Sequence, residues 1–234
     1  MHVATDEAQA PSPSSRLVSL EQLRVRGLPA RVYHGGTGTP LLLVHGGWGG
    51  SEMHWNRVWE NLAESYEVVA ADLPGLGWVE QPPLASVREY AEWLEDLLDE
   101  LAIDKAWLVG NSFGASVAWS LAGRFPQRCA GLILVNGVPM PKTPAPLLWG
   151  GKTRIGRALM RSLVRKLSYN PAAVLRGFAD PAKVPATLRH LMDTEEGEII
   201  LRRFAEILIA GDGAPAPRTP PLLLWGARDR LPGT

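Results

Sequence analysis

The stretch that most constrains this chain is Lys105–Gly114, K-A-W-L-V-G-N-S-F-G. An apolar run from Ala106 to Val109 passes directly into Gly110-Asn111-Ser112-Phe113-Gly114, and a helical pattern of small and apolar residues follows (Ala115, Val117, Ala118, Leu121, Ala122). The pattern predicts a strand, a sharp turn and a helix, with Ser112 at the apex. Glycines flank the serine for a steric reason: a side chain at either place would collide in so tight a bend, and the bend holds the serine in a strained conformation. The strain lifts the hydroxyl clear of the sheet. The N–H of Phe113 then lies at a helix N-terminus, where developing negative charge is stabilised. Taken by itself the pattern also describes an ordinary serine in a strand-to-helix turn.

The length, 234 residues, suits one domain or one domain with an insertion. Basic and acidic residues balance at 24 each, which argues against a nucleic-acid partner. Cys129 is the only cysteine, so neither a disulfide framework nor a cysteine metal site is expected. Met1 to Ser15 is polar and rich in Pro, Ser and Ala, without the basic start and apolar core of a secretory signal; it reads as a disordered tail. No apolar run is long enough for a bilayer, and a cytoplasmic location is expected.

Leu17–Arg26 and Pro29–His34 read as short strands about a turn at Gly27, and Pro40–Val44 as a strand covered on both faces. His45-Gly46-Gly47-Trp48-Gly49-Gly50-Ser51 follows. Such a glycine cluster lets the backbone bend close to a ligand and present N–H groups, as half of an oxyanion hole would; a plain glycine loop is the alternative. Ser51 is expected to cap a helix with Trp55, Val58, Trp59 and Leu62 on its apolar face. A metal role for His45 and His54 is not expected, because no third ligand clusters with them. Tyr66–Ala71 reads as a strand, with Asp72-Leu73-Pro74-Gly75-Leu76-Gly77 after it and Pro82-Pro83 closing the loop. Ser86 and Glu89 form a capping box for a helix striped by Val87, Tyr90, Ala91, Leu94, Leu97, Leu98 and Leu101, its acidic face in solvent. Ala130–Val135 is another buried strand. This alternation predicts a doubly wound, mostly parallel sheet with helices on both faces.

From Pro139 to about Pro217 the rhythm breaks. Helical patterns around Ile155–Leu167, with a basic face, and after Thr194 suggest a helical cap over residues 138–217, between core segments 16–137 and 218–234. His190 reads as a cap surface residue. Pro220–Gly226 resumes as a buried strand, and Asp229 stands one short loop beyond it, where an acid can accept an imidazole N–H; an aspartate in a turn is equally ordinary. Asp212 is a weaker candidate for the acid.

Together these segments resemble the α/β-hydrolase superfamily, in the branch with a helical cap. The resemblance is carried by His45-Gly46-Gly47, by Asp72–Gly77, by the Gly110–Gly114 elbow and by Leu222–Asp229. It implies Ser112 as nucleophile, Asp229 as triad acid, and the N–H groups of Gly47 and Phe113 as the oxyanion hole, with Trp48 as the alternative to Gly47. It implies no metal or organic cofactor, and a small, partly apolar substrate as partner; homo-oligomer formation is left open. Two local departures stand out: Val79 where the family often has serine, and Ala115 where a second elbow glycine is frequent. The larger departure is that no histidine follows Asp229; the five present are His2, His34, His45, His54 and His190. The expectation is a C-terminally truncated hydrolase lacking the last strand and helix, which would leave the strand at Leu222 with an unpaired edge and an uncovered apolar face. Its serine would be weakly activated, retaining roughly a thousandfold over water from oxyanion hole and binding. An ester or acyl substrate is the leading expectation. Carbon–carbon hydrolysis of ring-cleavage products is the alternative within the fold, suggested by the G-N-S-F-G elbow, and a non-catalytic binding protein is the alternative outside catalysis.

Overall fold

The computed structural model describes residues 17–47, 49–77, 81–137, 139, 184, 186, 189, 194–210 and 213–227. Seven strands form one sheet: β1 (Val18–Val25), β2 (Leu28–Gly35), β3 (Thr39–Val44), β4 (Tyr66–Ala71), β5 (Ala106–Asn111), β6 (Cys129–Val135) and β7 (Leu222–Leu224). Their order is β1-β2-β4-β3-β5-β6-β7. β1–β2 and β2–β4 pair antiparallel, and every later pairing is parallel, as the strand–helix alternation predicts.

β3 shows why the centre of the sheet reads as unbroken apolar sequence. Leu42 and Val44 face one core, with Tyr90, Leu94, Leu97 and Leu121; Leu41 and Leu43 face another, with Trp55, Trp59 and Val68. Each of these β3 side chains is at most 7% exposed, and each contributes about 1.5–3 kcal/mol of burial. Helix α3 (Val87–Glu100) begins as expected: Ser86 Oγ accepts from the Glu89 N–H at 3.3 Å. The reciprocal bond lands one residue early, the Glu89 carboxylate accepting from the Ala85 N–H at 3.0 Å. Its acidic side is not simply solvated. Asp96 pairs with Arg26, and Glu95 and Asp99 pair with Arg128.

Two expectations are corrected. The helix after the glycine loop is two pieces, α1 (Gly50–Trp55) and α2 (Trp59–Ala63). Gly49, at φ 88°, occupies the N-cap, while Ser51 lies inside the helix; Val58, between the pieces, is exposed. The start of α1 is instead capped from a distant loop, Asp72 Oδ1 accepting from the Ser51 N–H at 2.7 Å. The second concerns β7, read as a buried strand that would nonetheless present an uncovered face. Leu222, Leu223 and Leu224 are 54%, 58% and 47% exposed. Among the described residues β7 pairs with β6 alone at the sheet edge, so the uncovered face holds and the burial does not.

In the stretch expected to be a cap, α5 (Glu195–Ala210) buries Ile200 and Ile207 in the core beside α3. Its Arg203 guanidinium donates to the carbonyls of Gln81 (3.1 Å) and Gly75 (3.4 Å), tying α5 to the loop after β4. The expected helix around Ile155–Leu167, along with His190, Asp212, Val79 and the tail, lies outside the described residues. Among the described residues no helix is long and apolar enough to cross a membrane.

Candidate active site

The turn after β5 is the sharp bend that the sequence predicts. Ser112 stands at φ 51°, ψ −114°, exposed, between β5 and helix α4 (Phe113–Arg124). An L residue is strained at such a φ, by about 1–3 kcal/mol. The bend is held from two sides: the Ser112 N–H donates to the Val135 carbonyl at 2.9 Å, and the Ser112 carbonyl accepts from the Ala115 N–H at 3.0 Å. Ser112→Gly is expected to unfold about 1 kcal/mol later than Ser112→Ala, because only glycine relaxes this backbone. Urea titration of the two variants checks it.

The flanking glycines have concrete neighbours. A Cβ on Gly110 would stand 2.2 Å from the Gly114 carbonyl oxygen, and one on Gly114 would stand 2.2 Å from the Val44 oxygen and 2.5 Å from the His45 oxygen. The first turn of α4 therefore rests directly on the end of β3, where the glycine loop begins. Ala115 in place of a second elbow glycine is accommodated by Gly137, whose own Cβ would lie 2.7 Å from the Ala115 methyl.

His45 anchors the glycine loop from behind. It is wholly buried; its Nδ1 donates to the Gly46 carbonyl at 2.6 Å, and its Nε2 accepts from the Leu73 N–H at 2.7 Å. Accepting at Nε2 requires the neutral ring. Burial first, and the neighbouring His54 second, push its pKa down to about 3 against the opposing Gly46 bond. A histidine depressed on folding takes up its proton in the unfolded chain first. Its contribution to stability is thus complete above its ordinary 6.5 and lost as pH falls from there towards about 3. Wild type is expected to lose about 1.4 kcal/mol per pH unit in that window relative to His45→Gln, measured by urea unfolding.

A second layer lies beneath α1. The Asp72 carboxylate sits 3.6 Å from Arg31, which also donates to the Tyr33 hydroxyl at 3.0 Å, and Tyr33 donates to Glu52 at 3.2 Å. Burial pushes the Asp72 carboxyl up, opposed by the Ser51 N–H and Arg31. Burial, then the charges of Asp72 and Glu52, push Tyr33 up to about 12. Gly75, at φ 71°, packs on Pro83, which closes this loop as expected.

Of the sequence-predicted site residues, Ser112 and Phe113 open α4, and Gly47 lies buried in the loop that follows His45. Asp229 and Trp48 lie outside the described residues. Two residues of this region carried no functional expectation. Asn111 and His54 meet at 3.1 Å beside Gly46, and only their proximity in space could have found them. The arrangement offers an exposed hydroxyl at the positive end of a helix, against a glycine-rich backbone, the layout that acyl chemistry requires.

Residues 39–177 match the family described as alpha/beta hydrolase fold, and the chain belongs to that family. Its relatives include hydrolases. It is 36% identical over 131 residues to 2-hydroxymuconate semialdehyde hydrolase of Pseudomonas sp. (strain CF600), covering 53% of this chain and 46% of the relative. It is 31% identical over 234 residues to the dihydrolipoyllysine-residue acetyltransferase component of the acetoin cleaving system of Pseudomonas putida, covering 97% of this chain and 60% of that protein. The chain thus spans about half to three fifths of the length of these curated relatives. Among solved structures, a bacterial membrane phospholipase A superposes with a TM-score of 0.68 at 26% identity, covering 91% of this chain and 71% of that one.

Proposed function

We propose that this α/β hydrolase acts through Ser112 on the acyl carbonyl of an ester or related small, partly apolar substrate. The observation that supports it most is the exposed serine at φ 51° on a helix whose first turn rests against the glycine loop. In this reading Ser112 Oγ adds to the carbonyl carbon and gives its proton to a histidine oriented by Asp229. The negative charge on the carbonyl oxygen is held by the Gly47 and Phe113 N–H groups. Collapse breaks the carbon–oxygen bond, the leaving alkoxide takes the proton back, and water repeats the sequence to free the acid and Ser112. No histidine follows Asp229 in the sequence, so the test compares two forms of the protein. A fluorophosphonate probe is applied to the 234-residue chain and to a chain extended from the genomic sequence. Labelling of Ser112 in the extended form supports the reading. Labelling in neither form overturns it and favours a binding protein.

A second reading is carbon–carbon bond hydrolysis in a vinylogous diketone. It is supported by the likeness to the semialdehyde hydrolase and by the G-N-S-F-G elbow. Turnover of a ring-cleavage product alongside a nitrophenyl ester distinguishes the two.

A further inference from the structure

We infer that His54 is a positioning residue that sets the glycine loop against the elbow, so that the Gly47 and Phe113 amides converge on one point. The inference rests on the reading of Ser112 as nucleophile. Its starting point is the orientation of the Asn111 amide. Asn111 Nδ2 donates to the Val135 carbonyl at 3.3 Å, so Oδ1 is the atom turned towards His54. An amide oxygen only accepts; the proton on this 3.1 Å bond therefore belongs to His54 Nδ1.

The adjoining Cε1–Nε2 edge of the imidazole faces the loop. A Cβ placed on Gly46 would stand 2.7 Å from His54 Cε1, 3.4 Å from Nε2 and 3.4 Å from Asn111 Oδ1. Gly46, His54 and Asn111 thus meet at one junction, and any side chain at Gly46 would have to displace the His54 ring. His45 lies behind, its ring centroid 5.7 Å from that of His54, and fixes the Gly46 carbonyl. The loop backbone is bonded by His45 at the Gly46 carbonyl, and the His54 ring borders it at Gly46 beside Asn111. Asn111 immediately precedes Ser112, so the bond spans the two parts of the site from α1 to the elbow. Oxyanion donors act only when both reach the same oxygen, and a displacement of about 1 Å costs on the order of 100-fold.

The test uses His54→Ala and His54→Gln. Glutamine can donate to Asn111 but cannot take up a proton. Fluorophosphonate labelling rates are measured in the form of the protein that the probe labels, and amide exchange at Gly46 and Gly47 in the same variants. His54→Ala is expected to label about 10- to 100-fold more slowly with its melting temperature held, and to exchange faster at both glycines. His54→Gln is expected to recover most of both. Unchanged labelling in His54→Ala overturns the inference and leaves the nucleophile reading standing. Recovery of exchange without labelling in His54→Gln also overturns it, because the ring would then be acting as a base. If no form is labelled, the nucleophile reading falls, and exchange alone decides whether His54 holds the loop: unchanged rates overturn that claim too.

Discussion

Gly114→Ala is expected to cost about 3 kcal/mol of stability or more and to abolish most reactivity at Ser112. Helix propensity argues the other way, since alanine is favoured over glycine inside a helix by about 1 kcal/mol. Sterics decide the sign. The added methyl would sit 2.2 Å and 2.5 Å from two backbone oxygens, those of Val44 and His45, and backbone cannot rotate away as a side chain can. Either α4 moves off the sheet or the end of β3 does. Both carry a proposed oxyanion donor, so the geometry of the site goes with the packing. Thermal unfolding and fluorophosphonate labelling of the variant check the two effects separately. A variant as stable as wild type would show that α4 does not press on the loop as described.

Ser112→Ala is the complementary case, with chemistry lost and the fold kept. Covalent labelling is expected to disappear. Turnover in a form of the protein competent for it is expected to fall by about a millionfold, to the level sustained by binding and oxyanion donors alone. The substitution keeps a Cβ and the strained φ of 51°, so its unfolding midpoint is expected to stay close to wild type. Label retained on another residue of Ser112→Ala, found by peptide mapping, would overturn the assignment.

The parts of this molecule that were legible in sequence are those dictated locally. The elbow is the clearest case. The need for glycine at 110 arises within five residues, from the Gly114 carbonyl. At 114 the motif names the glycine, but the backbone that enforces it, at Val44 and His45, belongs to the end of β3 and the residue after it. The parallel sheet was legible because buried strands and amphipathic helices alternate, each with its own period. The misreadings share one cause, which is dependence on a distant partner. Ser51 looked like a cap because serine often is one, but the group that caps α1 belongs to Asp72, 21 residues on. Trp93 falls outside the expected stripe of α3 and is nonetheless only 1% exposed, since α3 packs on both α4 and β1. The leucines of β7 read as a buried strand because they are apolar and consecutive, whereas their uncovered face follows from the place of β7 at the sheet edge. For His54 the sequence raises only a metal role that is not expected, and its link to Asn111 crosses 57 positions that no local pattern connects.

β6 and β7 are neighbours in the sheet, yet about 85 residues of chain separate them, and closing such a loop grows costlier only logarithmically with its length. Doubling the intervening segment would cost only about 0.6 kcal/mol in closure entropy. Length changes between β6 and α5 are therefore cheap in closure entropy, whereas α5 itself, with Ile200 and Ile207 in the core, is held to the scaffold. Changes of length can be tried there without renegotiating the scaffold.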